Sequence, residues 1–542
     1  MANAMVVNVE DPSGYIDANS SKTEFKEDIH LNSKTATRRK TCIEYISSFA
    51  SSVWFITQCI LCHVLMLVFT LPMVPFMVLF YLLKTAERVI VTKTSNKMPL
   101  APMDAMWVTK TGEEQMLINT LICFENKGTF EEGLQRIRDA IVERLVDAKR
   151  DLGAPLYPRV RCLIRPGYFQ YFFEEDQSFA IDNHVFPWKG KIPSSKDELA
   201  AIASALINEP LPEGQSPWCC CCIPTKFDNN DFAVLFRVHH AIADGVSLIR
   251  FLIHQLPDKA TIQRGLQNYS SSGRFFLLLK AAFIAPRHLF KLQFKSADSN
   301  LLHGPELSGE RKIAWNEPID LKLIKDIKNA TGTTVNDVLM TCLSLALRRY
   351  FQRKGVENPD DFSAIVPVDV RASATSQKLD LENRFSFVFP KLPVATEGVF
   401  NQLYETKARM DKAKISGAPL ASSKITAFSA AVSPQFMNDN FNSMVSRKLS
   451  GVVSNVRGPQ EMLSVRGSRV KFLVFWPPQK ENTGVLVSIF TYSGKVFVGI
   501  QGNTTVLPDP EVLVQEFGNS VWEMTKCTLQ TTGFVNGGYE II

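Results

Sequence analysis

The sequence predicts a mixed α/β protein with two large folded units and an N-terminal membrane segment. The chain has 542 residues, and at roughly 100–200 residues per domain this length calls for more than one unit. Helix-like periodicities alternate with short apolar, β-compatible runs from residue 98 onwards. Apolar residues make up 45% of the chain and charged residues 21%, so a large core can be buried. The predicted parts are a flexible tail at 1–44, a membrane segment at 45–88, a first unit at 98–265, a linker at 266–310 and a second unit at 311–542.

Composition and motif content also limit the partners and cofactors that we expect the chain to bind. The net charge of +6 is mild, and Lys and Arg are not gathered into a stripe or a recognisable module, so we expect no nucleic acid. The 11 cysteines do not form a disulfide framework, and Cys59 with Cys62 lacks a second pair or histidines at zinc spacing. We therefore expect no metal, and we interpret the thiols as reduced and facing the cytosol. The chain has no Walker loop, HExxH or GxGxxG, so we also expect no bound cofactor.

The membrane segment follows from a long uncharged stretch. Residues 45–83 are 39 positions without an Asp, Glu, Lys or Arg, whereas a bilayer crossing needs about 20 apolar residues. Pro72 and Pro75 interrupt the stretch, and four cations lie on each side of it. Because positive charge favours the cytoplasmic side, equal flanks favour a hairpin with both ends cytosolic. A single span followed by an interfacial segment, and a helix pair inside the protein, are the alternatives.

The first unit contains one clear helix and one clear hairpin. Thr129 and Glu132 have the spacing of a capping box, and apolar residues follow at intervals of three or four, which predicts an amphipathic helix. Two apolar runs at 218–223 and 232–238 flank a turn-rich segment, which predicts two buried antiparallel strands. On this interpretation the cysteines at 219–222 belong to a strand; palmitoylation is the alternative.

The linker and the second unit show further patterns. In the linker, four cations fall close to one helical face beside an apolar run, namely Lys280, Arg287, Lys291 and Lys295. Such a segment is typical of a helix in the headgroup plane, although a helix packed on the protein fits equally well. In the second unit, Thr334 and Asp337 begin a predicted helix. Strands are predicted at 364–368, 385–389, 472–475, 485–490 and 496–500.

The motif with the clearest chemistry is His-His-Ala-Ile-Ala-Asp-Gly at 239–245, directly after a predicted strand. A neutral imidazole is the natural base for removing a hydroxyl proton near pH 7, which points to His240. Asp244 can turn back and pair with backbone or with an arginine, and Gly245 permits backbone torsions closed to other residues. Two histidines satisfied inside a turn, with no catalytic role, are the alternative.

These residues resemble the HHxxxDG motif of the bifunctional wax ester synthase/diacylglycerol acyltransferase family, within the CoA-dependent acyltransferase superfamily. The resemblance covers roughly residues 100–535, and further similar segments occur in order: Thr-Val-Asn-Asp-Val at 334–338, Pro-Val-Asp-Val-Arg at 367–371, Asn-Arg-Phe-Ser at 383–386, Ser-Asn-Val-Arg-Gly-Pro at 454–459 and Tyr-Ser-Gly-Lys at 492–495. Three segments depart from the family. Arg457 replaces a proline, Ser-Pro-Trp at 216–218 replaces Pro-Leu-Trp, and Gln-Gly-Asn at 501–503 follows Ile500, where the family often has an Asp. A DFGWG motif is missing, which argues against the plant alcohol acyltransferases that share HxxxD.

The resemblance implies a fold and a reaction. The fold would be two acyltransferase lobes with a tunnel between them. His240 would be the general base that removes the proton of a lipid hydroxyl, which then attacks a fatty acyl-CoA without a covalent acyl-enzyme. His239 would flank the base, and Asp244 and Gly245 would hold the loop. Acyl-CoA would be a co-substrate, and the acceptor would be a fatty alcohol, giving a wax ester, with diacylglycerol as a second acceptor.

The resemblance also supplies further candidate residues. Asn336 and Asp337 are candidates for site support or oxyanion stabilisation, and helix capping is the alternative. Asn455 and Gly458 are expected in a turn that borders the tunnel. Trp218 is a candidate for substrate contact.

A cellular setting and two rival functions complete the expectations. A membrane-anchored unit on the cytosolic face of the endoplasmic reticulum could draw acyl-CoA from the cytosol and alcohols from the lipid bilayer, with lipid droplets as a second address. One rival is a chain that primarily acylates diacylglycerol. The other is a membrane-anchored lipid-binding protein that has lost catalysis, against which the intact His240 and Asp244 argue.

Overall fold

The computed structural model describes most of the chain in several stretches. They are residues 42–108, 115–227, 231–259, 271–304, 306–369, 380–415, 418–480 and 482–532. The predicted tail lies almost entirely outside the described residues, as do Val370 and Arg371 of the family-like segment. Gln58–Thr525 forms one compact unit, and Met1–Thr57 with Lys526–Ile542 forms another, of which only a few turns of helix are described.

Helices and strands alternate along the chain. The described α-helices are α1 (Cys42–Thr70), α2 (Val74–Ser95), α3 (Pro102–Ala105), α4 (Phe130–Ile141), α5 (Ile181–His184), α6 (Lys196–Asn208), α7 (Gly245–Arg250), α8 (Ser271–Phe294), α9 (Leu321–Thr331), α10 (Val335–Arg353), α11 (Val399–Ile415), α12 (Ala418–Val432), α13 (Gln435–Ser446) and α14 (Pro510–Thr532). The described strands are β1 (Met98–Pro99), β2 (Leu117–Phe124), β3 (Cys162–Pro166), β4 (Tyr171–Glu175), β5 (Val185–Pro187), β6 (Trp218–Pro224), β7 (Phe232–His239), β8 (Arg311–Trp315), β9 (Ile319–Asp320), β10 (Phe362–Asp369), β11 (Phe385–Val388), β12 (Lys391–Leu392), β13 (Gly451–Arg457), β14 (Ser464–Val465), β15 (Ser468–Trp476), β16 (Val485–Tyr492) and β17 (Lys495–Asn503). The mixed α/β class is confirmed.

The N-terminal apolar segment is helical without a hairpin turn. Phe49–Ser95 is, among the described residues, a stretch long and apolar enough to cross a membrane. A 3-10 turn at Leu71–Met73 joins α1 to α2, and the backbone stays right-handed helical on both sides of it, at Thr70 and Val74. The favoured hairpin is therefore wrong for this structure. The reason is local, because both prolines lie in the first turn of a helical segment, where a missing N–H is tolerated.

The first large sheet has six strands in the order β14-β15-β2-β7-β6-β5. The predicted hairpin is confirmed, since β6 and β7 pair antiparallel with Trp218 opposite Val238. The four consecutive cysteines are buried within β6. The predicted capping box is also present, because Thr129 and Glu132 bond each other's backbone N–H at the start of α4.

The second large sheet follows the order β11-β10-β13-β16-β17-β8, with β9 and β12 on its margins. All five strands predicted for this region are present. The strands β13 and β16 run parallel, whereas β16 and β17 form a hairpin. Its two turn residues, Ser493 and Gly494, both have positive φ, of 47° and 75°, which suits the right-handed twist of the strands.

The two sheets meet through β15. This strand pairs with β2 of the first sheet and packs against β16 and β17 of the second. Gly499 of β17 makes the approach possible, since a Cβ there would lie 2.5 Å from a methyl of Val474. The predicted second unit therefore contributes two strands, β14 and β15, to the sheet of the first.

Candidate active site

The two histidines lie at the end of β7, where the strand gives way to a turn. His239 is the last strand residue, and the His240 N–H donates to the carbonyl of Met116 at 2.8 Å. The turn closes when the Ile242 N–H donates to the His239 carbonyl at 2.9 Å. Asp244 is the N-cap of α7, because its Oδ1 accepts from the Ser247 N–H at 2.8 Å. The sequence thus ends the strand and starts the helix within five residues.

His239 has its acceptor nitrogen occupied. Its Nδ1 accepts a hydrogen bond from the Ala241 N–H at 3.1 Å, so the proton of the neutral ring is on Nε2. Burial, and then the neighbouring His240, lower the pKa of His239 to about 3. His239 is therefore a neutral ring that stabilises the turn.

His240 is held differently. Its Nδ1 is buried and has no hydrogen-bond partner among the described residues. Burial lowers the pKa of His240 to about 3, against opposing effects of its own backbone and of the Asn383 side chain, and Lys480 lowers it further, so the ring is neutral at pH 7. A buried Nδ1 is closed to substrate, which leaves Nε2 as the nitrogen that can take a proton.

The ring of His240 stacks on Trp107. The two centroids are 3.7 Å apart and the planes are inclined by 23°. The indole N–H of Trp107 is buried and meets no acceptor in the described part of the chain. Phe385 of β11 contacts both rings, so the site lies where β7 of the first sheet meets β11 of the second. The ammonium of Lys480 lies 5.1 Å from the indole centroid.

A buried polar network fixes the backbone around His240. The Asn383 amide donates to the His240 carbonyl at 2.8 Å and to Asp104 Oδ1 at 2.9 Å. Arg159 pairs with Asp104 at 2.8 Å and donates to the Ile242 carbonyl at 3.2 Å. Burial raises the pKa of the Asp104 carboxyl, and Arg159 and Asn383 oppose that rise. The network positions the main chain on both sides of Ala241.

Sequence reasoning missed Trp107, Asp104 and Arg159 as parts of this site. The only signal for them was indirect, since Asn383 stood in a family-like segment and its partners lie in distant parts of the chain.

Asp244 joins two loops. Besides the Ser247 bond, its Oδ2 accepts from the Arg384 N–H at 2.8 Å. The Ser247 hydroxyl in turn donates to the Glu382 carbonyl at 2.8 Å. Gly245 has no positive φ, and a Cβ at this position would meet nothing within 4 Å. The expectation that Gly245 is needed for unusual torsions is therefore wrong; the glycine borders open space.

The second group of candidates forms a pair on α10 and β13. The Asn455 amide donates to Asn336 Oδ1 at 3.0 Å, and the Asn336 Nδ2 is buried without a partner among the described residues. Asp337 forms a capping box with Thr334, which is the alternative considered above. Gly458 permits close packing, because a Cβ would lie 2.4 Å from the Thr491 carbonyl. Within the described residues, neither asparagine hydrogen-bonds to the 239–245 turn.

Trp218 lies in the hydrophobic core. It is 2% exposed, its indole N–H donates to the Val160 carbonyl at 2.7 Å, and its ring stacks on His184. The side chain is enclosed by protein, and its contact with substrate stays a prediction. In the described ranges, no three His, Cys, Asp or Glu side chains are placed to hold a metal ion.

Comparison with known proteins gives concordant results. One family model, the wax ester synthase/diacylglycerol acyltransferase catalytic domain, matches residues 100–273, and the WS/DGAT C-terminal domain matches residues 381–525. A putative diacylglycerol O-acyltransferase of Mycobacterium tuberculosis is 24% identical over 390 residues, covering 65% of this chain and 76% of the relative. The O-acyltransferase WSD of Acinetobacter baylyi is 24% identical over 373 residues, covering 62% and 79%.

Solved structures agree at the level of the fold. The wax ester synthase/diacylglycerol acyltransferase of Marinobacter aquaeolei VT8 has a TM-score of 0.57 at 20% identity, and the match covers 80% of this chain and 99% of that one. The trichothecene 15-O-acetyltransferase of Fusarium sporotrichioides has a TM-score of 0.51 at 12% identity, covering 79% and 94%. The fold of Gln58–Thr525 is therefore similar to that of these acyltransferases.

Proposed function

Because the chain belongs to the wax ester synthase/diacylglycerol acyltransferase family and is an acyl-CoA-dependent O-acyltransferase, we propose that it esterifies a long-chain alcohol at a membrane with His240 as the general base. The preferred acceptor in this proposal is a fatty alcohol, giving a wax ester, and diacylglycerol is a second acceptor. The observation that carries the proposal is the state of His240, a neutral ring with a sealed Nδ1 at the junction of the two sheets.

The proposed reaction moves one proton and one acyl group. His240 Nε2 takes the hydroxyl proton as the alcohol oxygen attacks the thioester carbonyl. The carbonyl oxygen carries the negative charge until the C–S bond breaks, and the proton then passes from the imidazolium to the sulfur of CoA. The products are an ester and free CoA, and the ring returns to its neutral form.

A base with a pKa of about 3 is weak until substrate changes its surroundings. The oxyanion that forms beside the imidazolium is an opposite charge in a dry site, and such a charge raises the pKa of the ring. The base is therefore strengthened when the transition state forms, which is the differential stabilisation that catalysis needs.

One buried donor beside His240 supports an oxyanion site. The indole N–H of Trp107, whose ring stacks on His240, lacks an acceptor among the described residues. Asn336 stays a candidate from the sequence, and its Nδ2 also lacks an acceptor in the described part of the chain. A buried donor without an acceptor lowers the stability of the fold unless a ligand accepts its hydrogen bond, and donors of this kind stabilise an oxyanion.

The membrane part of the proposal concerns how the alcohol substrate reaches the enzyme. We place the N-terminal helical stretch in the endoplasmic reticulum membrane with the catalytic unit on the cytosolic side, and lipid droplets as a second address. The exposed apolar surface of Phe49–Ser95 supports membrane attachment, because the most apolar part of this stretch is not buried by the rest of the protein.

The test is acyl transfer from labelled palmitoyl-CoA in microsomes, with hexadecanol and diolein offered in competition. We expect hexadecanol to be preferred, and His240→Ala to lower ester formation by about 10²–10⁴ at equal protein amount. A preference for diolein would reverse the order of acceptors. Equal rates for wild type and variant, or no ester in either, would favour the non-catalytic lipid-binding protein.

A further inference from the structure

Three helices expose large apolar side chains to solvent. They are α8, α12 and α13, and the side chains are 43–68% exposed: Phe275, Phe276, Phe428, Phe436 and Phe441. We call this set the aromatic face. The helices pack on one another, since α12 contacts α8 and α13 contacts both. A contiguous apolar surface marks an interaction site, and the packing of the three helices on one another places these side chains on one layer of the protein.

The aromatic face is continuous with the apolar N-terminal helices. The Lys84 ammonium of α2 donates to the carbonyls of Ala430 and Ser433, at 2.9 and 2.7 Å, and so caps the end of α12. On α8, Phe283 stacks with His63 at 5.7 Å and Arg287 bonds to Gln58 at 2.8 Å. A bilayer that holds the N-terminal helices therefore meets the same layer of the protein.

The charge of these helices fits a phospholipid surface. The sequences of α8 and α12 contain no Asp or Glu, and α13 contains one, Asp439. Their cations include Lys280, Arg287 and Lys291 on α8 and Lys424 on α12. Aromatic side chains combined with cations and few acids are typical of helices that lie in the headgroup layer of anionic membranes.

The same layer contacts the segment that carries the catalytic stack. The helix α12 packs against α3, and the Gln435 amide of α13 donates to the Ala105 carbonyl at 3.2 Å. Asp104 of α3 belongs to the network around His240, and Trp107 stacks on His240 two residues after Ala105. A lipid surface on this layer therefore lies on the far side of a single short helix from the base.

From these contacts we propose that α12 and α13, with α8, form a second membrane contact that lies in the headgroup layer and delivers bilayer-dissolved alcohol to His240. This inference rests on the proposed function for the identity of the delivered substrate. The N-terminal helices attach the protein to the membrane, and the aromatic face orients it.

The first test reads contact with lipid directly and needs no catalysis. The full chain is reconstituted in vesicles of phosphatidylcholine with about one part in five of phosphatidylserine, and bilayer-dissolved carbene precursors are photolysed. Phe428, Phe436 and Phe441 should be labelled, whereas Trp522 on α14, which is 54% exposed, should not be. Labelling of the aromatic face no stronger than that of Trp522 would overturn the proposal.

The second test measures whether the aromatic face delivers alcohol from the membrane to the active site. The triple variant Phe428→Ser, Phe436→Ser, Phe441→Ser is compared with a control triple of exposed apolar residues on other elements, Leu152→Ser, Met462→Ser, Trp522→Ser. With hexadecanol in vesicles, the first triple should lose about tenfold or more in rate, because burial of one Phe side chain corresponds to at least about that factor. With hexanol in solution the loss should be smaller, and the control should match wild type with both alcohols.

Equal loss with both alcohols, or equal loss in both triples, would contradict delivery through the aromatic face. If wild type forms no ester with any alcohol, the proposed function fails while the photolabelling result still decides the membrane contact.

Discussion

The described residues include two stacked tryptophan–histidine pairs, which differ in whether their buried polar atoms have hydrogen-bond partners. In the first, Trp218 and His184 lie 4.5 Å apart, the indole N–H donates to the Val160 carbonyl, and the His184 Nδ1 bonds to the Trp218 carbonyl at 2.8 Å. In the second, Trp107 and His240 lie 3.7 Å apart, and both the indole N–H and the imidazole Nδ1 lack a partner among the described residues.

The difference separates a structural pair from a functional one. Buried polar atoms are almost always hydrogen-bonded, because an unpaired one costs roughly 1–3 kcal/mol. The first pair meets that rule and contributes to the core of the first sheet. The second pair departs from that rule at both atoms. The Nδ1 of His240 is closed to substrate, so the indole N–H of Trp107 is the atom of this pair that a ligand can use. The unpaired polar atoms, more than the stacking itself, distinguish the second pair from the first.

The largest effect on stability is expected in the hydrogen-bonded pair, Trp218 and His184. Trp218→Ala removes a fully buried side chain and leaves the His184 ring stacked on Phe179 alone, so it should destabilise the fold by about 3–5 kcal/mol. Denaturant unfolding of detergent-purified protein measures the change. Ester formation per folded molecule should stay near that of wild type, and a specific loss of turnover in this variant would break the comparison.

In the Trp107–His240 pair, substitution is expected to lower turnover, and the free energy involved is smaller than the stability loss of Trp218→Ala. Trp107→Ala frees the His240 ring to tilt, and displacement of a base by about 1 Å can cost on the order of 10²-fold in rate. Trp107→Phe keeps an aromatic surface and removes the N–H. A recovered rate in Trp107→Phe assigns the role to stacking, and a persistent loss assigns it to the N–H donor. Unchanged kcat in both variants would contradict a role for Trp107.

The smallest effect is expected from pH. Because burial lowers the pKa of His240 to about 3, the ring stays neutral throughout the range in which an ordinary histidine of pKa about 6.5 would gain a proton. The value of kcat/KM, measured between about pH 5.5 and 8, should therefore show no inflection near 6.5. An inflection at that pH that disappears in His240→Gln would show a base with an ordinary pKa and contradict the sealed environment.

Local signals made parts of the fold predictable. The capping boxes at Thr129 and Thr334, and the hairpin β6–β7, depend on residues within a few positions of one another, so their patterns can be read from the sequence. The histidine motif was located in the same way, at a strand end.

Other parts could not be predicted because they depend on contacts between distant segments. Asn383 and Asp104 are 279 residues apart, and nothing local to either indicates that they meet under His240. Trp107 was not predicted for the same reason, since burial and unpaired polar atoms are properties of packing. The hairpin failed because Pro72 and Pro75 were interpreted as a break, although the first turn of a helix accepts proline.

One measurement tests the distinction between the two stacks most directly. Initial rates of ester formation from palmitoyl-CoA and hexadecanol are compared for His240→Gln and His184→Gln, each normalised to the amount of folded protein. We predict that His240→Gln lowers kcat/KM by about 10²–10⁴, because glutamine cannot take the hydroxyl proton, whereas His184→Gln changes only the amount of folded enzyme. Retained activity in His240→Gln, or an equal loss in both variants, would contradict the assignment of His240 as the base.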